Sequence, residues 1–361
     1  MPNSPRLLFC YLKPTSFVKD DLRLLRKHYD VRTFQFDPAE ATSMRSLSCL
    51  WARQGAWLFR ELPEADLLYG WFADHHVALP VLMARWFGVP SAVVLGGMDC
   101  NWLAEYEYGV WESRWRASLV RWIVHQADLL PTVSETLIEA EEQFSNWPER
   151  RKNGIRTHVP NLQTPHPVVS LGFCPKDWPM GALERGNTVA TVALLDSWRT
   201  YKIKGIDLFL AAARRMPDVE FQIVGVSPDF AAELRDEETV SDNVTLSPPR
   251  PRGDLPGVYQ DTAVYAQLSR VEAFGLVVGE AMLSGCIPVV SAVGQPPELV
   301  GDTGEVVQRP VREAVVEALR RALSENGERR RAARARIADH FSMAQREARL
   351  VRLLSELRRS R

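Results

Sequence analysis

The sequence predicts an α/β fold made of two Rossmann-like domains, each built on a parallel sheet. Three observations carry this. Short apolar runs rich in Val, Leu and Ile alternate with longer amphipathic runs along most of the chain. The alternation occurs twice, on either side of a polar, irregular stretch over residues 146–164, and the two halves share this pattern without sharing sequence. At 361 residues the chain is long enough for two cores.

Residues 6–12 (RLLFCYL) read as a first buried strand, and 17–28 as a helix after Pro14-Thr15-Ser16. The hydroxyls of Thr15 and Ser16 suit a helix cap or the floor of a site. Residues 30–36 alternate with period 2 as a second strand, followed by a long helix over 43–61. A third strand over 66–70 leads to a helix over 73–87. The buried strand 91–95 ends in Gly96-Gly97-Met98-Asp99. Residues 111–126 form an amphipathic helix, 127–132 a strand and 133–144 a further helix. The second half begins near residue 170, with strands expected at 189–195, 219–225, 243–246 and 262–266. Helices lie over 206–215 and 229–234, and a rigid Pro-rich loop over 248–253. Residues 296–300 and 304–307 close the sheet, and helices over 313–323, 328–341 and 344–357 follow. In parallel sheets ligands bind beyond the carboxyl ends of strands, which singles out the loops 71–76 and 96–101.

The densest pattern is residues 268–290 (LSRVEAFGLVVGEAMLSGCIPVV). It reads as a loop carrying Glu272, a helix over 276–283, a Ser-Gly turn and a buried strand. Glu272 and Glu280 are spaced E-x7-E, one before the helix and one two turns inside it. A helix N-terminus offers free N–H groups and partial positive charge to an anion, and Gly275 lets a ligand approach the backbone. Ionised carboxylates accept from hydroxyls. Phosphate and hydroxyls together describe a sugar nucleotide. The match at Glu272, Phe274, Gly275, Glu280-Ala281-Met282, Gly285 and Pro288-Val289-Val290 resembles the signature of retaining glycosyltransferases of family 4, the group 1 glycosyl transferases.

That resemblance implies the GT-B fold, two Rossmann-like domains whose parallel sheets face each other across a cleft. Residues 1–170 would be the acceptor-side domain and 171–340 the donor domain, with 341–361 a helix crossing back to the first. It implies a retaining, metal-independent transfer of a sugar from a UDP-, GDP- or ADP-sugar to a hydroxyl of a glycan or lipid-linked acceptor. Arg199 and Lys204 match the family's Arg and Lys-Gly pair and would stabilise the departing diphosphate, with Lys202 as a rival to Lys204. Glu272 would accept from the donor sugar and Glu280 from the ribose. Phe274, Gly275 and Leu276 would offer backbone N–H groups, and Arg250 would lie near the base. His75, His76 and Asp99 are the acceptor-side candidates. No strong general base is required if the departing phosphate takes the acceptor proton, so these three would position the acceptor. A non-catalytic glycan-binding scaffold and a sugar-nucleotide epimerase on the same fold are the alternatives; the E-x7-E pattern argues against the epimerase, and Arg199, Lys204, Glu272 and Glu280 together argue against the scaffold.

Composition narrows the rest. A net charge of −1 gives no reason to expect nucleic acid. Five scattered cysteines without C-x-x-C, no D-x-D and no secretory apolar run point to a cytoplasmic chain without cofactor or metal. Eleven tryptophans stand out, nine before residue 150, several beside arginines at helical spacing. Such positions suit a packed core; they also suit a bilayer interface, so peripheral contact with the inner face of the cell membrane is the second expectation. The basic tail, 14 Arg against 7 Asp and Glu from Arg312 on, adds to it.

Overall fold

The computed structural model describes residues 4–37, 39, 43–237 and 240–360. Residues 1–3 of the expected first domain and 361 of the expected last helix lie outside the described residues. Two compact units emerge. The first comprises Met1–Ala140, Asn153–Leu171 and Ala344–Arg361; the second comprises Glu141–Lys152 and Gly172–Met343.

The first unit carries a four-stranded parallel sheet of β1 (Arg6–Tyr11), β2 (Asp30–Gln35), β3 (Leu67–Trp71) and β4 (Ser91–Val94), in the order β2-β1-β3-β4. Leu7 lies between Val31 and Leu67, and Tyr69 pairs with Ala92. Every residue of β3 is buried, as a parallel strand covered on both faces requires. Single parallel bridges from Ala92 to Leu129 and from Leu95 to Thr132 continue the sheet, where a strand over 127–132 was expected. The direction of winding reverses between β1 and β3, and a crevice opens at such a switch point. Thr15 is the N-cap of helix Ser16–Leu25 but makes no side-chain cap bond, and its Oγ1 is buried without a partner.

Helix Met343–Arg359 enters this unit through one buried ion pair. Arg346 Nε and Nη2 donate to the two oxygens of Asp21, each at 2.8 Å. Tyr69 Oη and Trp71 Nε1 donate to the same carboxylate at 2.7 and 2.8 Å, and Arg346 Nη1 donates to the Val169 carbonyl at 2.7 Å. Burial opposes the charge on Arg346; the Asp21 carboxylate outweighs it and raises the pKa of the guanidinium.

The expected helix over 133–144 is not formed. One 3-10 turn, Glu135–Leu137, gives way to β5 (Ala140–Glu142), which pairs with β6 (Arg151–Asn153). Polar side chains divert this segment: Ser134 Oγ bonds Thr136 Oγ1, and the Ile138 carbonyl accepts from Arg156 N instead of from a residue one turn on.

The second unit carries six parallel strands: β7 (Thr188–Leu195), β8 (Glu220–Val226), β9 (Val244–Ser247), β10 (Val264–Gln267), β11 (Ile287–Ser291) and β12 (Glu305–Val307). Their order is β12-β11-β10-β7-β8-β9, so the winding reverses between β7 and β10. Residues 296–300, expected to join the sheet, form the helix Pro296–Val300 instead. Two prolines in its first turn have helical φ and lack the N–H that a ladder would need. Two short helices, Trp198–Ile203 and Leu255–Asp261, were not expected; Ser197 Oγ caps the first by accepting from Thr200 N.

The basic tail largely serves this unit. Arg330 donates to the Ala263 and Gly285 carbonyls, Arg334 to those of Trp178 and Leu283, and Arg336 to those of Leu299 and Glu298. These guanidinium groups are engaged with backbone carbonyls of the second unit. No helix among the described residues is long and apolar enough to cross a membrane.

Candidate active site

The loops after β7 and β10 meet at the switch point of the second sheet. Lys204 follows β7 and the helix Trp198–Ile203; Glu272 follows β10. Lys204 Nζ donates to Glu272 Oε2 at 3.3 Å, bridging 68 residues of sequence. The last residue of β10, Gln267, donates to the same oxygen at 2.6 Å, and Ala273 N donates to Glu272 Oε1 at 3.2 Å. Both ionic groups stay partly exposed, Lys204 at 36% and Glu272 at 17% of their side chains, so a ligand can reach them. Gly294 closes the back of the loop. Its φ is +61°, and a Cβ there would lie 1.8 Å from the Glu272 carbonyl, so no other residue fits. The Gly294 N–H donates to the buried carboxylate of Glu142 at 2.9 Å.

The helix Leu276–Leu283 begins at Gly275, whose φ of +87° turns the chain so that the first amides have no intrahelical acceptor. Phe274 anchors that turn: its ring stacks on Phe173 and meets Phe341 edge-on, each with centroids 6.1 Å apart. Leu276 is half-buried at the first helical position. Inside the helix Glu280 is 2% exposed, and Arg252 Nε and Nη2 grip its Oε1 at 2.8 and 2.7 Å. The guanidinium also lies over the Trp178 ring at 5.4 Å. Of the two arginines in the Pro-rich loop it is thus Arg252 that reaches the signature helix, while Arg250 is exposed on the same loop.

Lys202 and Lys204 separate cleanly. Lys202 Nζ donates to Asp207 at 3.3 Å, and Arg270 binds Asp207 through both carboxylate oxygens at 2.9 and 2.8 Å. Burial raises the pKa of Asp207, but Arg270 outweighs it and holds the carboxyl below its ordinary value. Arg199 is exposed in the first turn of its helix. Gln267, Arg252, Gly294 and Glu142 were missed in the sequence. The strand-end rule points to Gln267; the other three become visible only through contacts made across the fold.

In the first unit His75, His76 and Asp99 gather at the ends of β3 and β4. Asp99 is fully buried and accepts from Ala73 N at 3.0 Å, Gly97 N at 2.9 Å and Gly96 N at 3.1 Å. Burial raises its pKa, and these amides work against that shift. Its carboxyl therefore ties two loops together. His76 is also fully buried; its Nε2 bonds the Trp71 carbonyl at 2.7 Å, and its Nδ1 has no partner. Burial pushes its pKa down to about 4, so the ring is neutral. His75 packs edge-on against Phe36, and its Nδ1 lies 3.2 Å from Asp74. Of the three, His75 is the one that is not fully buried. Among the described residues no group of three or more His, Cys, Asp or Glu is placed to hold a metal ion.

Residues 193–338, which contain both switch-point loops and the signature helix, match the family model of glycosyl transferases group 1. D-inositol 3-phosphate glycosyltransferase of Mycobacterium sp. (strain JLS) is 31% identical over 249 residues, 66% of this chain and 52% of that protein. The chain spans about half the length of the curated relatives it matches. Anabaena Alr3699/HepE, solved in complex with UDP, superposes with a TM-score of 0.70 at 17% identity over 97% of this chain and 100% of that one. Sucrose-phosphate synthase (tll1590) from Thermosynechococcus elongatus gives 0.75 at 14% identity over 99% and 100%. The fold is therefore GT-B, and residues 193–338 carry the match to the group 1 glycosyl transferases.

Proposed function

We propose that the protein is a glycosyltransferase that moves a sugar from a nucleoside diphosphate sugar to a hydroxyl acceptor, with retention of configuration and without a metal. The observation that carries this is the Lys204–Glu272 contact at the β7/β10 switch point, beside the free amides of helix Leu276–Leu283. Lys204 and Arg199 supply positive charge where the diphosphate departs. Glu272 accepts from sugar hydroxyls, and Glu280, oriented by Arg252, accepts from the ribose. The sugar C1–O bond to phosphate breaks, the bond from C1 to the acceptor oxygen forms, and the acceptor proton passes to the departing phosphate. UDP-sugars are the first donors to test, because Anabaena Alr3699/HepE was solved with UDP. The acceptor, a glycan or a lipid-linked hydroxyl compound, is assigned to the first unit, where His75 would position it.

The test is nucleoside diphosphate release from UDP-, GDP- and ADP-sugars in the presence of EDTA. One donor consumed supports the reading; turnover that needs an added divalent cation overturns metal independence. No binding of any donor overturns the transferase reading itself.

A cytoplasmic location belongs to the same proposal, since none of the five thiols is paired. Peripheral membrane contact is favoured by the exposed rings of Phe59, Trp86 and Phe87, with Phe59 and Phe87 centroids 6.0 Å apart. Sedimentation with anionic vesicles that is lost in Phe59→Ala/Trp86→Ala would support it, and sedimentation equal in the variant would exclude this patch.

A further inference from the structure

A cavity of about 460 Å³ opens in the first unit at the ends of β1, β3 and β4. It lies at the β1/β3 switch point, the place where this topology leaves a crevice for a ligand. Its volume is that of a small-molecule site. Leu12, Leu47, Phe72, Met98, Val110 and Trp115 give it an apolar wall. Met98 and Trp115 are exposed at 41% and 57%, so the apolar wall is open to a ligand.

The charged groups around the cavity are already spent on one another. Arg116 binds Asp74 through Nη2 at 2.5 Å and Nε at 3.3 Å, and Asp74 Oδ1 also caps the helix His75–Phe87 by accepting from His75 N at 2.7 Å. Burial raises the pKa of Asp74, but its bonds to His75 and Arg116 outweigh that and hold it well below the ordinary carboxylate range. Asp99 is saturated by backbone amides. A phosphorylated ligand would have to pull Arg116 from a nearly buried carboxylate and leave that charge unpaired, which is costly. An apolar ligand displaces nothing.

A strained residue shapes the wall. Phe72 has φ of +68°, a region that aromatic side chains avoid at a cost of about 1–3 kcal/mol. Its amide is held by the Val94 carbonyl at 2.9 Å and its ring packs on Phe17 and Trp71, so the strain is sustained by the surrounding fold. The result is an aromatic ring lining the cavity at the end of β3, where a relaxed backbone would send it elsewhere.

We propose that this cavity binds an apolar aglycone of the acceptor, an alkyl or aryl group, leaving the accepting hydroxyl at the mouth beside His75. The inference rests on the transferase reading and gives it a substrate class: an alcohol recognised by its hydrocarbon part, in contrast to a phosphorylated polyol.

The test uses the full chain and three probes in titration calorimetry: n-octyl β-D-glucopyranoside below its micellar concentration, methyl β-D-glucopyranoside, and D-myo-inositol 3-phosphate. The octyl probe is expected to bind at least about tenfold tighter than the methyl one, consistent with burying even two of its methylenes. The preference should vanish in Met98→Asp and in Trp115→Ala, both confirmed folded by circular dichroism, and persist in Trp86→Ala, which alters an exposed ring outside the cavity. Equal binding of the two glucosides, tighter binding of the phosphorylated probe, persistence in Met98→Asp, or loss in Trp86→Ala would each overturn the proposal. UDP, GDP and ADP titrated into the same preparation keep the two ideas apart. UDP binding without octyl preference removes the aglycone site alone, whereas failure of every nucleotide removes the transferase reading.

Discussion

One oxygen of Glu272 is shared between a lysine and a glutamine, and this sharing decides what substitutions there do. Glu272→Gln keeps the shape but removes the counter-charge of Lys204 and the strongest hydroxyl acceptor in the loop. Transfer should fall at least about 100-fold in kcat/KM, the scale at which loss of one oriented polar group in a site is felt. Lys204→Ala should fall comparably. Lys202→Ala should stay within about threefold, because Lys202 answers to Asp207 and Arg270 holds that carboxylate without it. Steady-state release of the nucleoside diphosphate measures all three, and an equal loss in both lysine variants would refute the assignment. The two lysines are two residues apart, Lys202 in the helix Trp198–Ile203 and Lys204 just after it, and their chemistry in the sequence is the same. The family pattern favours Lys204, and it is Lys204 that contacts Glu272. Arg250 and Arg252 illustrate the opposite case. Nothing local distinguishes them, and only the approach of the Pro-rich loop to helix Leu276–Leu283 shows which one reaches Glu280.

Between elements, the pair β5 and β6 places Glu142 against the Gly294 turn that backs Glu272. Burial pushes the Glu142 carboxyl up to about 7, against the pull of the Gly294 amide and the charge of Arg151. A carboxyl with a raised folded-state pKa favours folding in its neutral form. That contribution is complete below its unfolded value of about 4.5 and is lost as pH rises through about 7. The second unit should therefore lose stability between pH 5 and 8, on the order of 3 kcal/mol for the full shift, and Glu142→Gln should flatten the profile. His76 works with the opposite sign. Its depressed pKa gives stability that is present above pH 6.5 and lost as pH falls through about 4. Thermal unfolding across pH 4 to 8 reads both limbs. Most strands and helices are legible because period and length carry them, including helix 276–283 to the residue; the three-residue strands β5 and β6 carry neither signal. The apolar spacing of 133–144 suits a helix, but Ser134 and Thr136 bond each other, and the Arg156 and Gly294 amides engage Ile138 and Glu142. Pro296 and Pro297 open a helix where the apolar run 296–300 suggests a strand.

For the molecule as a whole, the order of the chain and the order of the fold differ. Asp21 and Arg346 stand 325 residues apart and meet in one fully buried pair, with Tyr69 and Trp71 completing the carboxylate's bonds. Removing one partner, as in Asp21→Asn or Arg346→Ala, should cost about 3–5 kcal/mol because the other charge stays buried and alone. Asp21→Leu/Arg346→Met should recover part of that loss, and denaturant unfolding of the three variants checks it. Neither residue was singled out in the sequence. A buried Asp in a first helix and an Arg in a basic tail are unremarkable until the fold joins them, and the tail's charge read as surface when much of it caps carbonyls.

That pairing also sets a schedule for synthesis. Domains usually settle in the order in which they leave the ribosome, at roughly 5–20 residues per second. Here the carboxylate of Asp21 emerges first and its guanidinium partner 325 residues later, a delay of roughly 16–65 s at that pace. Throughout it the nascent first unit holds an acid whose interior site lacks its counter-ion. The second unit, nearly contiguous from Gly172 to Met343, has all its strands in hand before then. The amino-terminal half is thus made first and gains this buried counter-ion only once helix Met343–Arg359 has been made.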